Sequence, residues 1–167
     1  MILWSILGII SCIVLDQLSK YAALVYLKPV GEVTLIPNIL DLKFVLNDGA
    51  AFSSFSGQRV FLLLFTGIAL SALAVYLFWK KPQYQLERIG IILMLGGGLG
   101  NFIERAIHGE VVDFIAVTFV NFAIFNLADV FVCVGAAFMV FSAFLEEYRT
   151  KKKKHAENEK VLPDEKI

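Results

Sequence analysis

Histidine and cysteine are almost missing from this chain, with two of each in 167 residues. A zinc site wants His, Cys or carboxylate ligands at a recognisable spacing. None is present, so no metal or other cofactor is expected. Cys12 and Cys133 stand within apolar runs and read as small hydrophobes rather than as a disulfide or a metal pair. Neither His108 nor His155 is placed to activate Ser53 or Ser54, which argues against a serine nucleophile. Net charge is absent too, because Lys+Arg 15 balances Asp+Glu 15. The balance hides an asymmetry: the N-terminal part is nearly uncharged, and the tail from Glu146 alternates acid with a basic run. No nucleic-acid partner is expected. The Gly96-Gly97-Gly98 run with Gly100 lacks the Lys and the preceding strand of a phosphate loop, and reads as close helix packing.

What is there is apolar. The chain is 58% hydrophobic, with a mean hydropathy of +0.74. A soluble protein of this length has too little interior for so much apolar surface, so the class is integral membrane protein. Four hydrophobic runs, at about 3–27, 60–79, 89–103 and 126–145, predict four transmembrane helices. The first lacks a basic leader region and a small-x-small cleavage site, and reads as a retained helix. Residues 1–150 form one membrane domain, and 151–167 are expected to be a disordered cytoplasmic tail. Lys80, Lys81 and Arg88 between runs two and three, and Arg149 with 151–154 after run four, place those ends and both termini in the cytoplasm. Segments 28–59 and 106–125 then face outward. Partial alternation over 32–46, punctuated by Pro29, Gly31 and Pro37, predicts short strands on the membrane surface. Apolar 114–125 would overshoot the bilayer if joined to run four, and is expected to lie at the interface. The fold class is therefore all-α integral membrane, with four transmembrane helices, a small extracytoplasmic β element and an interfacial segment.

The polar residues inside these runs are the informative ones. Asp16 and Lys20 share a face in the outward half of helix one, and Asn101 and Arg105 share one at the outer end of helix three. Asn47 closes the outer strand region, Asp113 follows a turn at Gly109, and Asn126 and Asp129 share the outer start of helix four. Five segments thus bring their costly polar groups to one depth, and intramembrane ionisable groups are functional by default. Each has a structural alternative. Asp16 with Lys20 reads equally as a packing ion pair, Asn126 as a helix cap, and Asp129 as an anion at a helix N-terminus. Asp113 and Asp129 taken together suit acid–base chemistry. Neighbouring carboxylates share a proton, so one can take a proton from water while the other donates to a carbonyl oxygen. Which of the two is protonated at rest is open. A proton-coupled transporter would need a polar path through the whole bilayer, which helix two and the inner halves of the others do not offer. A non-catalytic assembly subunit would tolerate loss of both aspartates.

Five blocks carry a family likeness: Asp16-Gln17-Leu18-Ser19-Lys20, Asn47-Asp48-Gly49-Ala50-Ala51-Phe52, Gly100-Asn101-Phe102-Ile103-Glu104-Arg105, Val111-Val112-Asp113-Phe114 and Phe125-Asn126-Leu127-Ala128-Asp129. With all five in order, the chain resembles lipoprotein signal peptidase (signal peptidase II) up to about Tyr148. The resemblance implies an aspartic endopeptidase of the bacterial plasma membrane with its site near the outer face, and a monomer is expected. It cleaves a diacylglyceryl-modified prolipoprotein just before the lipidated cysteine. It assigns Asp113 and Asp129 to the catalytic dyad, and Asp16, Lys20, Asn47, Gly49, Asn101, Arg105 and Asn126 to binding or support. Membrane lipid is the other expected partner. Glu104 departs from the Asp more usual before the block's Arg, which affects fine geometry there.

Overall fold

The computed structural model describes residues 2–49 and 54–161. Ala50–Phe52 of the second block, and Ser53, lie outside the described residues. Four helices, α1 (Ile2–Ala22), α2 (Arg59–Val75), α3 (Gln85–Ile107) and α4 (Leu127–Val161), follow the four apolar runs. Pro29, Pro37 and Pro82 all fall between helices, where a missing N–H costs no ladder bond. Two helices end in a widened turn, Ala23–Leu27 after α1 and Tyr76–Lys80 after α2, closed by Lys28 N–H to Ala23 O at 2.9 Å and Lys81 N–H to Tyr76 O at 3.2 Å. With those turns, four spans long and apolar enough to cross a bilayer occur among the described residues: Ile2–Leu27, Arg59–Lys80, Gln85–Ile107 and Leu127–Lys153. A helix satisfies its own backbone, which is what a lipid solvent requires.

The third helix is the hub, packed against α1, α2 and α4. Lipid tails give helices no hydrophobic reason to associate, so close approach through small residues has to do it. A Cβ on Gly97 would collide with the Ala128 carbonyl oxygen of α4, and one on Gly96 with Cys12 of α1. Gly90 and Gly135 face each other in the same way, each leaving room for the other's carbonyl. The glycine run is therefore a packing device, as its sequence suggests. Leu70, Leu77, Ile91 and Leu95 form the main buried cluster.

Outside the helices, β1 (Glu32–Ile36), β2 (Leu40–Asn47) and β3 (Val111–Val117) form an antiparallel sheet in the order β1-β2-β3. Two strands match the alternation over 32–46. The third takes in the first part of the apolar 114–125 segment, up to Val117, which the sequence did not mark as a strand. Val111, Val112 and Asp113 are all buried, so this strand shows no alternation. Its β-branched residues pair with the open edge of β2, and Val112 packs on Ala23 and Leu27. Beyond it, Phe119, Val120 and Phe122 are exposed.

The tail differs from the expectation in its first part. Residues 151–161, expected to be disordered, continue α4. The segment from Glu146 to Val161 holds no Gly or Pro, is rich in Lys, Glu and Ala, and carries a Glu147–Lys151 pair one turn apart at 2.7 Å. Residues 162–167 lie outside the described residues.

Candidate active site

The N-terminus of α4 organises the site. Asn126 is its cap: the side-chain Oδ1 accepts the Asp129 N–H at 3.1 Å, and Asp129 Oδ2 accepts the Asn126 N–H at 3.1 Å. This reciprocal pair is a capping box with Asp in the usual Glu position. A third N–H of the first turn, that of Ala128, is taken by Asp16 Oδ1 of α1 at 3.0 Å. The structural and the functional readings of these residues thus hold together, since the cap fixes where the Asp129 carboxylate points.

Asn126 also reaches the second acid. Its Nδ2 donates to Asp113 Oδ1 at 2.6 Å and to Asn101 Oδ1 at 3.1 Å. Asn47 Nδ2 holds the other Asp113 oxygen at 2.8 Å, because β2 and β3 are in register with Asn47 opposite Val111. Asn101 Nδ2 holds Asp129 Oδ1 at 2.8 Å. One fully buried amide, Asn126, therefore ties both carboxylates to each other, and every carboxylate oxygen of the pair accepts at least one hydrogen bond. Asp113 is buried, and burial pushes its pKa up to about 6 from 3.8. The Asp129 charge adds to that rise, while the Asn47 and Asn126 hydrogen bonds and Lys20 oppose it.

Behind the pair stands Lys20. Its ammonium contacts Asp16 Oδ2 at 2.9 Å, Glu104 Oε2 at 2.8 Å and Asn101 Oδ1 at 2.7 Å, and is itself buried. The Glu104 carboxylate also accepts the Val112 N–H at 3.4 Å, so its extra methylene lets it span from Lys20 to β3. Glu104 thus belongs to the site, although the sequence marked it only as a departure. Its signal was the same as its neighbours', a charge at the outer end of an apolar helix. Gln17 is the other residue missed. It bonds Asp16 Oδ2 at 3.1 Å and the Gly100 carbonyl at 3.3 Å, and a neutral amide beside a charged pair gives little warning. Gly49 supplies backbone only: its N–H goes to Asn47 Oδ1 at 2.9 Å and its carbonyl to Arg105 at 2.6 Å. Arg105 is buried, and its Nε–H has no acceptor among the described residues.

All nine residues singled out from the sequence therefore meet in one network. His108 and Ser54 do not join it; both are exposed and line no part of the cavity. That cavity has a volume of about 620 Å³. Asn47, Asn101, Arg105, Asp113, Asn126 and Asp129 form its polar part, and Leu70, Leu73, Met94, Val130 and Cys133 continue it as an apolar trough between α2, α3 and α4. Chemically, the arrangement offers two carboxylates, tied to one amide, at the polar end of an apolar groove.

Residues 8–145 match the family model described as signal peptidase (SPase) II. A lipoprotein signal peptidase of Lactococcus lactis subsp. lactis (strain IL1403) is 41% identical over 149 residues, covering 89% of this chain and 98% of that protein. One from Neisseria gonorrhoeae (strain ATCC 700825 / FA 1090) is 38% identical, covering 86% and 90%. Among solved structures, a bacterial membrane enzyme at 2.3 Å resolution superposes with a TM-score of 0.82 and 33% identity, over 90% of this chain and 93% of that one.

Proposed function

The chain belongs to the signal peptidase II family, and from that premise we propose that it is an aspartic endopeptidase working within the membrane. The family makes it a multi-pass bacterial membrane peptidase of lipoprotein processing. The finer reading is that the substrate is a diacylglyceryl-modified prolipoprotein, cut just before the lipidated cysteine. The observation that carries this reading is the Asn126 side chain, which holds Asp113 directly and Asp129 through its cap within one cavity.

In this mechanism the ionised member of the pair takes a proton from water as the water attacks the scissile carbonyl carbon. The protonated member donates to the carbonyl oxygen. The pair then protonates the departing amine, and no covalent acyl-enzyme forms. Asn47, Asn101 and Asn126 hold the two carboxylates in place. Arg105 lines the cavity and holds the Gly49 carbonyl in place, which suits a guanidinium that does not exchange its proton. Asp16 and Lys20 brace α1, α3 and the start of α4 around the site. The apolar trough takes the hydrophobic segment of the signal peptide. The exposed apolar residues of the β1–β2 hairpin, among them Leu35, Ile36 and Ile39, hold the lipid. Both termini are cytoplasmic, the sheet and dyad lie near the outer face, and one copy is sufficient because every catalytic group comes from one chain.

The test is cleavage of a diacylated precursor by purified protein. Asp113→Asn and Asp129→Asn are each expected to lower the rate at least about a hundredfold while the protein still inserts and folds. Near-normal turnover in either variant, or equal cleavage of an unlipidated precursor, refutes the reading.

A further inference from the structure

A second cavity, of about 390 Å³, lies at the opposite end of the bundle and shares no lining residue with the first. Along α1 it is separated from Asp16 by about 20 Å of helix rise. It is formed by Ile2 and Leu3 of the first turn of α1, by Leu77 and Phe78 at the end of α2, and by Lys81 and Arg88 from the short link and the start of α3.

Three observations say what would fill it. First, its cations are unspent. Neither Lys81 nor Arg88 forms an ion pair among the described residues, and Glu87, the carboxylate next in sequence, accepts from the Tyr76 hydroxyl at 2.5 Å instead. Lys81 is held at φ 56°, an uncommon backbone for a residue with a side chain, closed by its N–H to Tyr76 O. Second, the described part of α1 begins at this end, where first-turn N–H groups lack intrahelical acceptors and add partial positive charge. Third, the remaining wall is apolar apart from Ser5, and Trp4 and Trp79 beside it are 75% and 81% exposed. Exposed tryptophans at helix ends mark headgroup depth. A free anion would use the positive half and leave the Leu77 and Phe78 wall wet.

We propose that this cavity binds the phosphodiester of an anionic glycerophospholipid from the cytoplasmic leaflet, with Lys81 and Arg88 on the phosphate and an acyl chain along Leu77 and Phe78. Its assignment to that leaflet rests on the orientation proposed above; the binding itself does not.

The experiment is native mass spectrometry of the full chain in detergent, titrated separately with short-chain phosphatidylglycerol, phosphatidylcholine and inorganic phosphate. Phosphatidylglycerol is expected to be retained over phosphatidylcholine, with phosphate at the same concentration failing to compete. Lys81→Asn keeps a residue that tolerates the left-handed backbone, and Arg88→Gln keeps a helix former. Each should weaken phosphatidylglycerol about fivefold, and the double variant about 25-fold. Cleavage of a lipidated precursor in phosphatidylcholine bicelles should be unchanged by these substitutions, which shows that the variants are folded. Equal retention of the two lipids, unchanged affinity in the double variant, or phosphate competing as well as the lipid each overturns the site. Detergent has no sides, so Lys152→Cys in a chain with Cys12 and Cys133 replaced by Ala, labelled from outside the cell, would overturn the orientation alone.

Discussion

The Asp113 carboxyl group stands in a place that favours its proton. Its native pKa of about 6 lies above the ordinary 3.8. The stability linked to that proton is therefore full below the ordinary value and is lost as pH rises through about 6. At neutral pH the charged group costs folding free energy, at most about 3 kcal/mol. Asp113→Asn should accordingly raise the thermal unfolding midpoint at neutral pH, and the gain should shrink on acidification through about pH 6. The gain falls short of the full figure, because the amide keeps one acceptor oxygen where the carboxylate has two, so the bond from Asn47 or from Asn126 is lost. A variant less stable than the parent at neutral pH, or a gain that ignores pH, contradicts this account. The same residue was legible in the sequence because a lone carboxylate between Val112 and Phe114 has no cheap reason to be there. Gln17 was not, since an uncharged amide next to Asp16 costs little in any environment. Nor does sequence reveal that Asn126 bridges the two acids, because that depends on strand register placing Asp113 against the cap of α4.

At the scale of elements, the four helices were readable from hydrophobic length, and β1 and β2 from partial alternation. β3 was hidden because it is buried along its first three residues and so reads as a plain apolar run. The helical extension to Val161 was hidden by charge, which resembles a solvated tail until the absence of Gly and Pro is weighed. The α3 glycines supply a graded test. A Cβ at Gly97 meets the Ala128 backbone oxygen, which cannot move without shifting the Asn126–Asp129 cap, whereas one at Gly98 meets Leu70 Cδ2 at 2.6 Å, the end of a flexible side chain. Gly97→Ala should abolish cleavage and lower the unfolding midpoint sharply. Gly98→Ala should cost less than about 1.5 kcal/mol and retain activity. Equal effects on unfolding and turnover would show that α4 is not held by that contact. For the hairpin, the proposed lipid-holding role predicts that replacing Leu35, Ile36 and Ile39 by Ser raises KM for a lipidated precursor about tenfold or more with kcat little changed, because binding and not chemistry is lost. A loss confined to kcat would remove the lipid-holding role.

Taken whole, the molecule is a rigid hub of α3 with a polar cluster at one end of the bundle and cationic links at the other. Most of that plan was legible, because polar residues in an apolar chain mark depth and basic links mark a side. The meeting of the five segments was an inference from depth alone. The hydrogen bonds from Lys20 through Asn101 and Asn126 to both acids give it a physical form. The central claim is that Asp113 and Asp129 act as one unit. The most direct measurement is single-turnover cleavage of a diacylated precursor by Asp113→Asn, Asp129→Asn and the double variant, at equal folded protein. A unit predicts that the double variant is no slower than either single one. Independent, multiplying losses, or substantial activity left in one single variant, would contradict it.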